Sequence, residues 1–313
     1  MFLHELPDAK DLFLVVSEEK AINPSIVEKD YWVMHTLWGL QQQGFKFELK
    51  GGTSLSKGFN IIDRFSEDID IQIHPAASLE IKSGKNHDKK SHIEGRRSFF
   101  DNLANILSIN GLAFQRDHEF DDIAKMRSAG IRGTYQSHFP SLAALKEGVL
   151  LEVGFDKTTP YDSKKISSWA YDKAIAAGVK IINNQANNVK CYLAEYTLIE
   201  KLQTISTKYR VNKQRNIESP INFIRHYYDV YKLLSTEQVK RFLKTDAYQS
   251  YKLEKFGTLD EPDLTKNPAF QLSKPGELDK FSLLYQRKAE IYFGDSPSFE
   301  KIIEYIKNHA DML

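Results

Sequence analysis

The stretch Lys50-Gly51-Gly52-Thr53-Ser54 and the stretch Asp68-Ile69-Asp70, separated from it by thirteen residues, decide the fold of this chain. Apolar and polar residues alternate over 45–49, which predicts a half-buried strand, and residues 55–62 predict a helix. The two glycines therefore lie between a strand and a helix. Because glycine has no Cβ, the backbone there can come close to a ligand, and free N–H groups at the start of a helix favour an anion such as a phosphate.

Asp68 and Asp70 lie two residues apart in the extended stretch 68–73. Side chains alternate along a strand, so both carboxylates project from one face while the isoleucines between them project from the other. Carboxylate oxygens are ligands that Mg²⁺ prefers. The glycine spacing matches neither a Walker A loop nor a dinucleotide-binding turn. An ordinary tight turn followed by a solvent-facing strand edge stays open as an alternative.

The glycine turn, the gap and the Asp-x-Asp strand together resemble the nucleotidyltransferase superfamily whose fold is shared with DNA polymerase β. Further segments, in the expected order, resemble the AbiEii/AbiGii toxin family over roughly residues 20 to 235. These segments are Val27-Glu28-Lys29-Asp30-Tyr31-Trp32, Arg64-Phe65-Ser66-Glu67-Asp68-Ile69-Asp70, Glu200-Lys201-Leu202 and Arg225-His226-Tyr227-Tyr228-Asp229-Val230-Tyr231.

The resemblance implies an α+β fold, with a polymerase-β-like nucleotidyltransferase domain that contains a mixed sheet and a C-terminal helical bundle domain. Several members of the family are toxins of bacterial toxin–antitoxin or phage-abortive systems, and some relatives add nucleotides to RNA. For this chain it implies metal-dependent transfer of a nucleotide from an NTP to an acceptor hydroxyl. Mg²⁺ or Mn²⁺ is the implied cofactor, RNA the favoured acceptor and a cognate antitoxin a candidate partner.

The candidate site residues follow the motifs. Asp68 and Asp70 are the expected metal ligands and catalytic residues, and Glu152 stands where the family usually has an aspartate as third carboxylate. A strand-edge position facing water is the alternative for Glu152. The turn residues are expected to hold the phosphates through N–H and hydroxyl groups, with Lys57 as a weaker candidate that is more often a solvated helix residue. These nucleotide-binding candidates are Gly51, Gly52, Thr53, Ser54 and Lys57.

Lys201 and Asp229 become catalytic candidates only through the resemblance. It implies that Lys201 neutralises phosphate charge and that Asp229 orients this lysine or the acceptor. From the residues alone, Lys201 is expected to face solvent and Asp229 to pair with Arg225, four residues earlier on a helix. The segment Glu28-Lys29-Asp30 resembles the family's N-terminal signature, with helix packing or ion pairing as an equal alternative.

Composition agrees with a two-domain enzyme. The 313 residues, 41% of them apolar, suffice for about two cores, and the single cysteine, Cys191, excludes an internal disulfide framework and a cysteine-based zinc site. No signal-like N-terminus or membrane-length apolar run is evident, so we expect a cytoplasmic protein without membrane contact. The net charge of +1 leaves room only for a local basic groove.

Two basic segments qualify for such a groove. Residues 87–97 read as an exposed loop, most simply solvated. The second segment follows Lys201 and is equally consistent with contacts to a triphosphate or RNA backbone and with a solvated face. Its basic residues are Lys208, Arg210, Lys213 and Arg215.

The chain changes character near Asn188, which predicts a nucleotidyltransferase domain over residues 1–188 and a helical bundle domain over 189–313. Strands are predicted at 45–49, 68–73, 131–135, 149–155 and 179–182, with helices at 26–42, 55–62, 98–110 and 168–177. Beyond them, helices are predicted at 192–209, 220–234, 236–243, 278–293 and 298–311, and a long connection at 256–275.

Three functions remain open. The first is the metal-dependent nucleotidyltransferase of the AbiEii-like toxin class, and the second keeps this chemistry but uses a small molecule as acceptor. The third is a catalytically inactive interaction module with the same fold. The intact Gly51, Gly52, Asp68 and Asp70 argue against the third.

Overall fold

The structure is a computed structural model that describes residues 1–84, 86–143, 145–217, 221–287, 289–294 and 296–313. The contacts divide the chain into two compact units. Unit 1 comprises Met1–Phe59 and Phe65–Tyr192, and unit 2 comprises Asn60–Arg64 and Leu193–Leu313. In the described ranges, no helix is long and apolar enough to cross a membrane.

Unit 1 is built on a seven-stranded sheet in the part of the chain that the structure describes. Two neighbouring pairs, β1 with β7 and β2 with β5, run parallel and the other pairs run antiparallel, which confirms the predicted mixed sheet. The strands lie in the order β3-β4-β5-β2-β1-β7-β6. Their bounds are β1 Lys46–Lys50, β2 Asp68–His74, β3 Ala113–Asp117, β4 Ser128–Thr134, β5 Val149–Gly154, β6 Tyr161–Ile166 and β7 Ala186–Tyr192.

Five helices accompany this sheet in the described part of unit 1. They are α1 Ala9–Lys20, α2 Pro24–Gln42, α3 Gly51–Thr53, α4 Lys90–Ile106 and α5 Trp169–Ala176. Asn23 caps the N-terminus of helix α2, its side chain accepting the Ser25 N–H at 2.9 Å, and the helix is buried on every side over Ile26–Leu37. Each polar side chain of a helix that is buried all round needs a partner from the surrounding structure, since an unpaired buried charge is costly. Its residues 28–30 meet that requirement with the partners described below.

Unit 2 carries seven further helices among its described residues. They are α6 Ala194–Gln214, α7 Arg225–Leu234, α8 Glu237–Phe242, α9 Asp246–Lys255, α10 Pro268–Gln271, α11 Glu277–Gln286 and α12 Phe299–Asn308. Helix α6 contacts α7, α8, α9 and α10. Aromatic rings of Tyr227, Phe281 and Phe299 meet edge to face or tilted, 5.4–6.1 Å apart, in the interior of this unit. The helical bundle as a separate domain stays a prediction.

Several predicted elements match the structure. The predicted strands at 45–49, 68–73, 131–135 and 149–155 correspond to β1, β2, β4 and β5, and the predicted helix at 168–177 corresponds to α5. Residues 179–182, all of them described, form no strand, and the sequence pattern does not predict β3, β6 or β7. Residue 188, the expected domain boundary, lies inside β7, which pairs with β1, so the observed division follows Tyr192 instead.

The helix predicted at 55–62 is wrong. Helical structure starts at Gly51 and ends as a π-helical turn over Ser54–Gly58, and Asn60 then adopts a left-handed conformation with φ +53°. A left-handed residue cannot continue a right-handed helix. The predicted range 55–62 therefore extends past the end of the helical segment.

The exposed loop expected at 87–97 is also wrong, because α4 begins at Lys90. Arg96 is fully buried, and its guanidinium donates to the carbonyl oxygens of Lys82, His87 and Lys125. Three carbonyl acceptors explain how an arginine is tolerated there without a carboxylate.

In unit 2, the sequence pattern does not predict helix α9, and α10 interrupts the predicted connection at 256–275. The helix predicted at 220–234 corresponds to a 3₁₀ turn at Ile221–Phe223 and to α7; its first residue, Pro220, lies outside the described residues. The helix predicted at 278–293 corresponds to α11, which ends at Gln286, and to a 3₁₀ turn at Ala289–Ile291, with Lys288 outside the description.

Candidate active site

Three carboxylates lie on one face of the sheet in unit 1. Asp68 and Asp70 lie two positions apart on β2 and therefore share a face of the sheet. Asp70 is paired with Glu152 across the parallel strands β2 and β5. Paired residues of neighbouring strands project to the same side of a sheet. The Asp68 side chain is 5% exposed and that of Glu152 is 38% exposed. The expected third carboxylate therefore reaches the expected face.

The glycine turn lies directly against Asp70. Lys50, the last residue of β1, is paired with Asp70 of β2, and Gly51 follows with φ +70°. A Cβ on Gly51 would lie 2.2 Å from Asp70 Oδ2. Glycine is needed here for two reasons, since the backbone is left-handed and the carboxylate occupies the space of a side chain.

The hydroxyl groups of the turn point into unit 1. Thr53 Oγ1 donates to the carbonyl oxygen of Asp68, and Ser54 Oγ donates to that of Tyr192 at 3.4 Å. Both residues are fully buried. These bonds fasten the turn to β2 and β7, so any contact of the turn with phosphates is left to the N–H groups.

Lys57 is not a solvated helix residue. Its ammonium pairs with Asp30 and lies 4.5 Å from the ring centroid of Trp169, and its side chain is 13% exposed. Burial raises the pKa of Asp30, and the charge of Lys57 counteracts part of that rise. The lysine thus neutralises the buried aspartate of α2 in this structure.

The remaining charges of the α2 signature are also paired. Glu28 accepts hydrogen bonds from the Ser137 hydroxyl at 2.6 Å and from the His138 N–H at 3.0 Å. Lys29 pairs with Glu67 at 2.6 Å, and burial lowers the pKa of this lysine although Glu67 acts against the shift. The alternative of helix packing and ion pairing is thus what the structure shows for these residues.

Lys146 lies at the candidate site, and the sequence did not reveal it. Its ammonium lies 2.8 Å from Asp68 Oδ2 and 3.9 Å from Glu152 Oε1, and 4.5 Å from the ring centroid of Phe120. No motif surrounds it. The signal that could have found it is its place three residues before β5, the strand that carries Glu152.

The donor chemistry fits a hard divalent cation. The oxygens of Asp68, Asp70 and Glu152 are the ligand type that Mg²⁺ and Mn²⁺ take. In this structure the Lys146 ammonium lies against this face, as expected for a negatively charged surface. Among the residues that the structure describes, no three His, Cys, Asp or Glu side chains converge as a ready metal site. Glu152 as a metal ligand therefore stays a prediction.

A second charged cluster lies within unit 2. Arg64 Nε and Nη2 donate to the two oxygens of Asp229 at 2.7 and 2.8 Å, and Lys201 Nζ lies 3.0 Å from Asp229 Oδ2. The expected ion pair with Arg225 is wrong for Asp229. Lys201, expected at the solvent, is only 9% exposed. Lys201 and Asp229, the two residues that the resemblance singles out, thus form an ion pair with each other, and Arg64 binds the same carboxylate.

Electrostatics keep the Asp229 carboxylate of this cluster ionised. Burial would raise the pKa of Asp229, but the charges of Arg64 and Lys201 outweigh it and lower that pKa to about 2. Burial lowers the pKa of Lys201, and Asp229 counteracts part of the shift. His226, whose Nδ1 is 3.3 Å from Lys201 Nζ, has its pKa lowered well below the usual value by burial and by that lysine. A role of Lys201 and Asp229 beside Asp68 and Asp70 stays a prediction.

The expected basic groove on α6 is partly neutralised by carboxylates. Arg210 Nε lies 2.8 Å from Asp260, and Lys213 Nζ lies 2.5 Å from Glu277. Arg215 is exposed. These pairs reduce the net positive charge that the segment presents to a phosphate backbone.

A family model described as "Nucleotidyl transferase AbiEii toxin, Type IV TA system" matches residues 36–305. That range contains the glycine turn, the three carboxylates, Lys146 and the cluster around Asp229. No curated protein and no solved structure matches the chain.

Proposed function

Because the chain belongs to the AbiEii family of nucleotidyltransferase toxins, we propose that it is a metal-dependent enzyme that transfers a nucleotide from an NTP to an acceptor hydroxyl, with RNA as the favoured acceptor. The observation that carries this proposal is the carboxylate face. Asp68, Asp70 and Glu152 project from neighbouring positions of β2 and β5, and Gly51 leaves the Asp70 carboxylate room beside the turn.

We assign the divalent cation, Mg²⁺ or Mn²⁺, to Asp68 and Asp70, with Glu152 as third ligand. When bound, such a cation neutralises triphosphate charge and lowers the pKa of an acceptor oxygen. The protein fixes the positions of the carboxylates and of the glycine turn. The pairing of β2 with β5 fixes the carboxylates relative to each other, and the Thr53 hydroxyl bond fixes the turn to β2.

The N–H groups of Gly51 and Gly52 would bind phosphate oxygens at the start of the helical segment 51–58. Lys201 would supply a cation to the substrate, with Asp229 holding it by the 3.0 Å contact. In this proposal Asp229 is a positioning residue, because the structure shows it bound to Lys201 and Arg64.

The acceptor and partner are proposed from the family. A toxin of a toxin–antitoxin system implies a cognate antitoxin, and RNA is the acceptor used by some relatives. NTP and RNA as substrates would place the reaction in the bacterial cytoplasm. The pairing of Arg210 and Lys213 with carboxylates means that RNA binding would depend on other basic residues of this region, Arg215 among them.

The test is transfer of label from each α-labelled NTP into total RNA, with Mg²⁺ or Mn²⁺ present. The parent should label RNA, and the double variant Asp68→Asn/Asp70→Asn should not. Asp88→Asn is the matched control, because Asp88 is a carboxylate of the same unit that pairs with Lys125 and Arg127. Label in a small-molecule fraction alone would replace RNA by a small acceptor. No transfer from any NTP, by protein that shows no metal-dependent NTP binding, would refute the function.

A further inference from the structure

Lys146 brings a fixed positive charge onto the carboxylate face that we assign to the metal. Its ammonium contacts Asp68 Oδ2 at 2.8 Å and approaches Glu152 Oε1 to 3.9 Å. A divalent cation bound to the same Asp68 oxygen would lie about 2–2.5 Å from it. The two cations would then be near neighbours and would repel each other. The ammonium and the metal are therefore alternatives for Asp68.

The main chain of Lys146 is held by a buried ion pair. Lys29 Nζ donates to the carbonyl oxygen of Lys146 at 2.5 Å, and the Lys146 N–H donates to Glu67 Oε2 at 2.6 Å. Lys29 and Glu67 in turn contact each other at 2.6 Å, with side chains 2% and 10% exposed. The N–H and the carbonyl group of Lys146 are thus both anchored. Its side chain is held by separate contacts, with Asp68 and with the ring of Phe120.

Space exists for the side chain to leave Asp68. A cavity of about 470 Å³ lies beside Lys146 and is lined also by Lys29, Tyr135 and Glu147. The lysine stem has four rotatable carbons and its ammonium is readily solvated. The side chain can therefore move from the carboxylates into this cavity without breaking the main-chain bonds to Lys29 and Glu67.

We propose that the Lys146 ammonium balances the charge of Asp68, beside Glu152, in the metal-free protein and is displaced by the divalent cation, so that Lys146 sets the affinity of the site for metal. The inference rests on the metal site of the proposed function. Lys29 and Glu67 are positioning residues that keep the lysine within reach of the carboxylates.

The first experiment measures Mn²⁺ binding by electron paramagnetic resonance in the absence of NTP. Lys146→Met removes the competing charge and should bind Mn²⁺ roughly tenfold more tightly than the parent, a change that corresponds to about 1.4 kcal/mol. Lys125→Met is the matched control, since it removes an ammonium that contacts Asp88 at 2.7 Å, and should bind as the parent does. Circular dichroism checks that both variants are folded.

The second experiment needs no variant at position 146. Lysine acetylation of the parent, read by mass spectrometry, should become faster at Lys146 when Mn²⁺ is added and stay unchanged at Lys125. The increase should vanish in Asp68→Asn/Asp70→Asn, which cannot bind the metal. This measurement decides the matter even if Lys146→Met fails to fold.

The outcomes separate displacement of Lys146 from metal binding itself. If the parent binds Mn²⁺ through Asp68 and Asp70, but Lys146→Met binds it equally well and acetylation of Lys146 does not respond, the displacement is refuted and the proposed function stands. If neither the parent nor Lys146→Met binds Mn²⁺, the metal site and the displacement are both refuted. Tighter binding by Lys146→Met together with faster acetylation supports both.

Discussion

Replacement of Gly51 by alanine tests the carboxylate face most directly. The added Cβ would lie 2.2 Å from Asp70 Oδ2, whereas real Cβ atoms essentially never approach a heavy atom within 3.0 Å. The turn or the Asp70 carboxylate must therefore move by at least about 0.8 Å, the difference between these two distances. The left-handed φ of +70° adds about 1–2 kcal/mol of backbone strain for a residue with a Cβ.

A displacement of this size should lower the rate of nucleotide transfer more than it lowers the stability of the fold. A misplacement of about 1 Å can lower a catalytic rate by about 10²-fold. We expect Gly51→Ala to lose about that factor in nucleotide transfer, and to lose metal-dependent NTP binding, while it remains folded. The measurements are initial transfer rates with labelled NTP, calorimetric titration with NTP and metal, and urea unfolding.

Gly178→Ala is the matched control for backbone strain. Gly178 has φ +74°, and a Cβ added to it would meet no atom within 4 Å, so this variant has the strain without the collision. Gly51→Ala should lose at least as much stability as Gly178→Ala, and only Gly51→Ala should lose transfer. Equal transfer rates of the two variants would refute the placement of Asp70 against the turn as a functional requirement.

The charged and titratable groups give three further predictions. Asp229→Asn removes the buried charge that contacts both Arg64 and Lys201 and should lower the free energy of unfolding by about 3–5 kcal/mol, measured by urea denaturation; an unchanged midpoint would contradict the buried cluster. Burial lowers the pKa of His35 from 6.5 to about 4, so between these two pH values the unfolded chain is protonated at His35 and the folded chain is not, and the free energy of unfolding should fall by about 1.4 kcal/mol per pH unit as the pH drops through this window; His35→Gln should flatten this dependence, and a slope equal to the parent's would refute it. For RNA, Arg215→Ala should flatten the log–log salt slope by about 0.7, more than Arg210→Ala, whose charge Asp260 already balances; the reverse order would refute the expected groove.

Sequence periodicity predicts secondary structure well in segments whose residues follow a single repeating pattern of apolar and polar positions. Strand β2 alternates aspartate and isoleucine, and its face and its carboxylates are both readable from that pattern. Helix α2 is predictable although it is buried on all sides, because its apolar run is long. The family also places the turn, the aspartates and Glu152 inside one matched range.

What the sequence could not supply are partners that lie far apart along the chain. Asp229 has a basic residue four positions earlier, but Arg64, 165 residues away, holds its carboxylate. Lys146 is 78 residues from Asp68, and nothing in its neighbours along the chain marks the contact. The turn after Gly51 closes early because of Asn60, whose left-handed conformation is not coded by an apolar pattern. Strands β6 and β7 carry many polar side chains, so hydrophobic periodicity passes over them.

The segment Asn60–Arg64 gives unit 2 a piece of chain that precedes most of the sheet of unit 1. Besides Arg64, it supplies Asp63, whose carboxylate contacts Lys232 at 2.7 Å and whose carbonyl oxygen accepts the Phe293 N–H at 2.9 Å. The helical unit is therefore discontinuous in sequence. A fragment that starts at Leu193 would lack the guanidinium that balances Asp229 and the backbone that pairs with Phe293. Unit 2 is therefore not an exchangeable module, because a truncation or gene fusion at the junction before Leu193 would remove part of its interior.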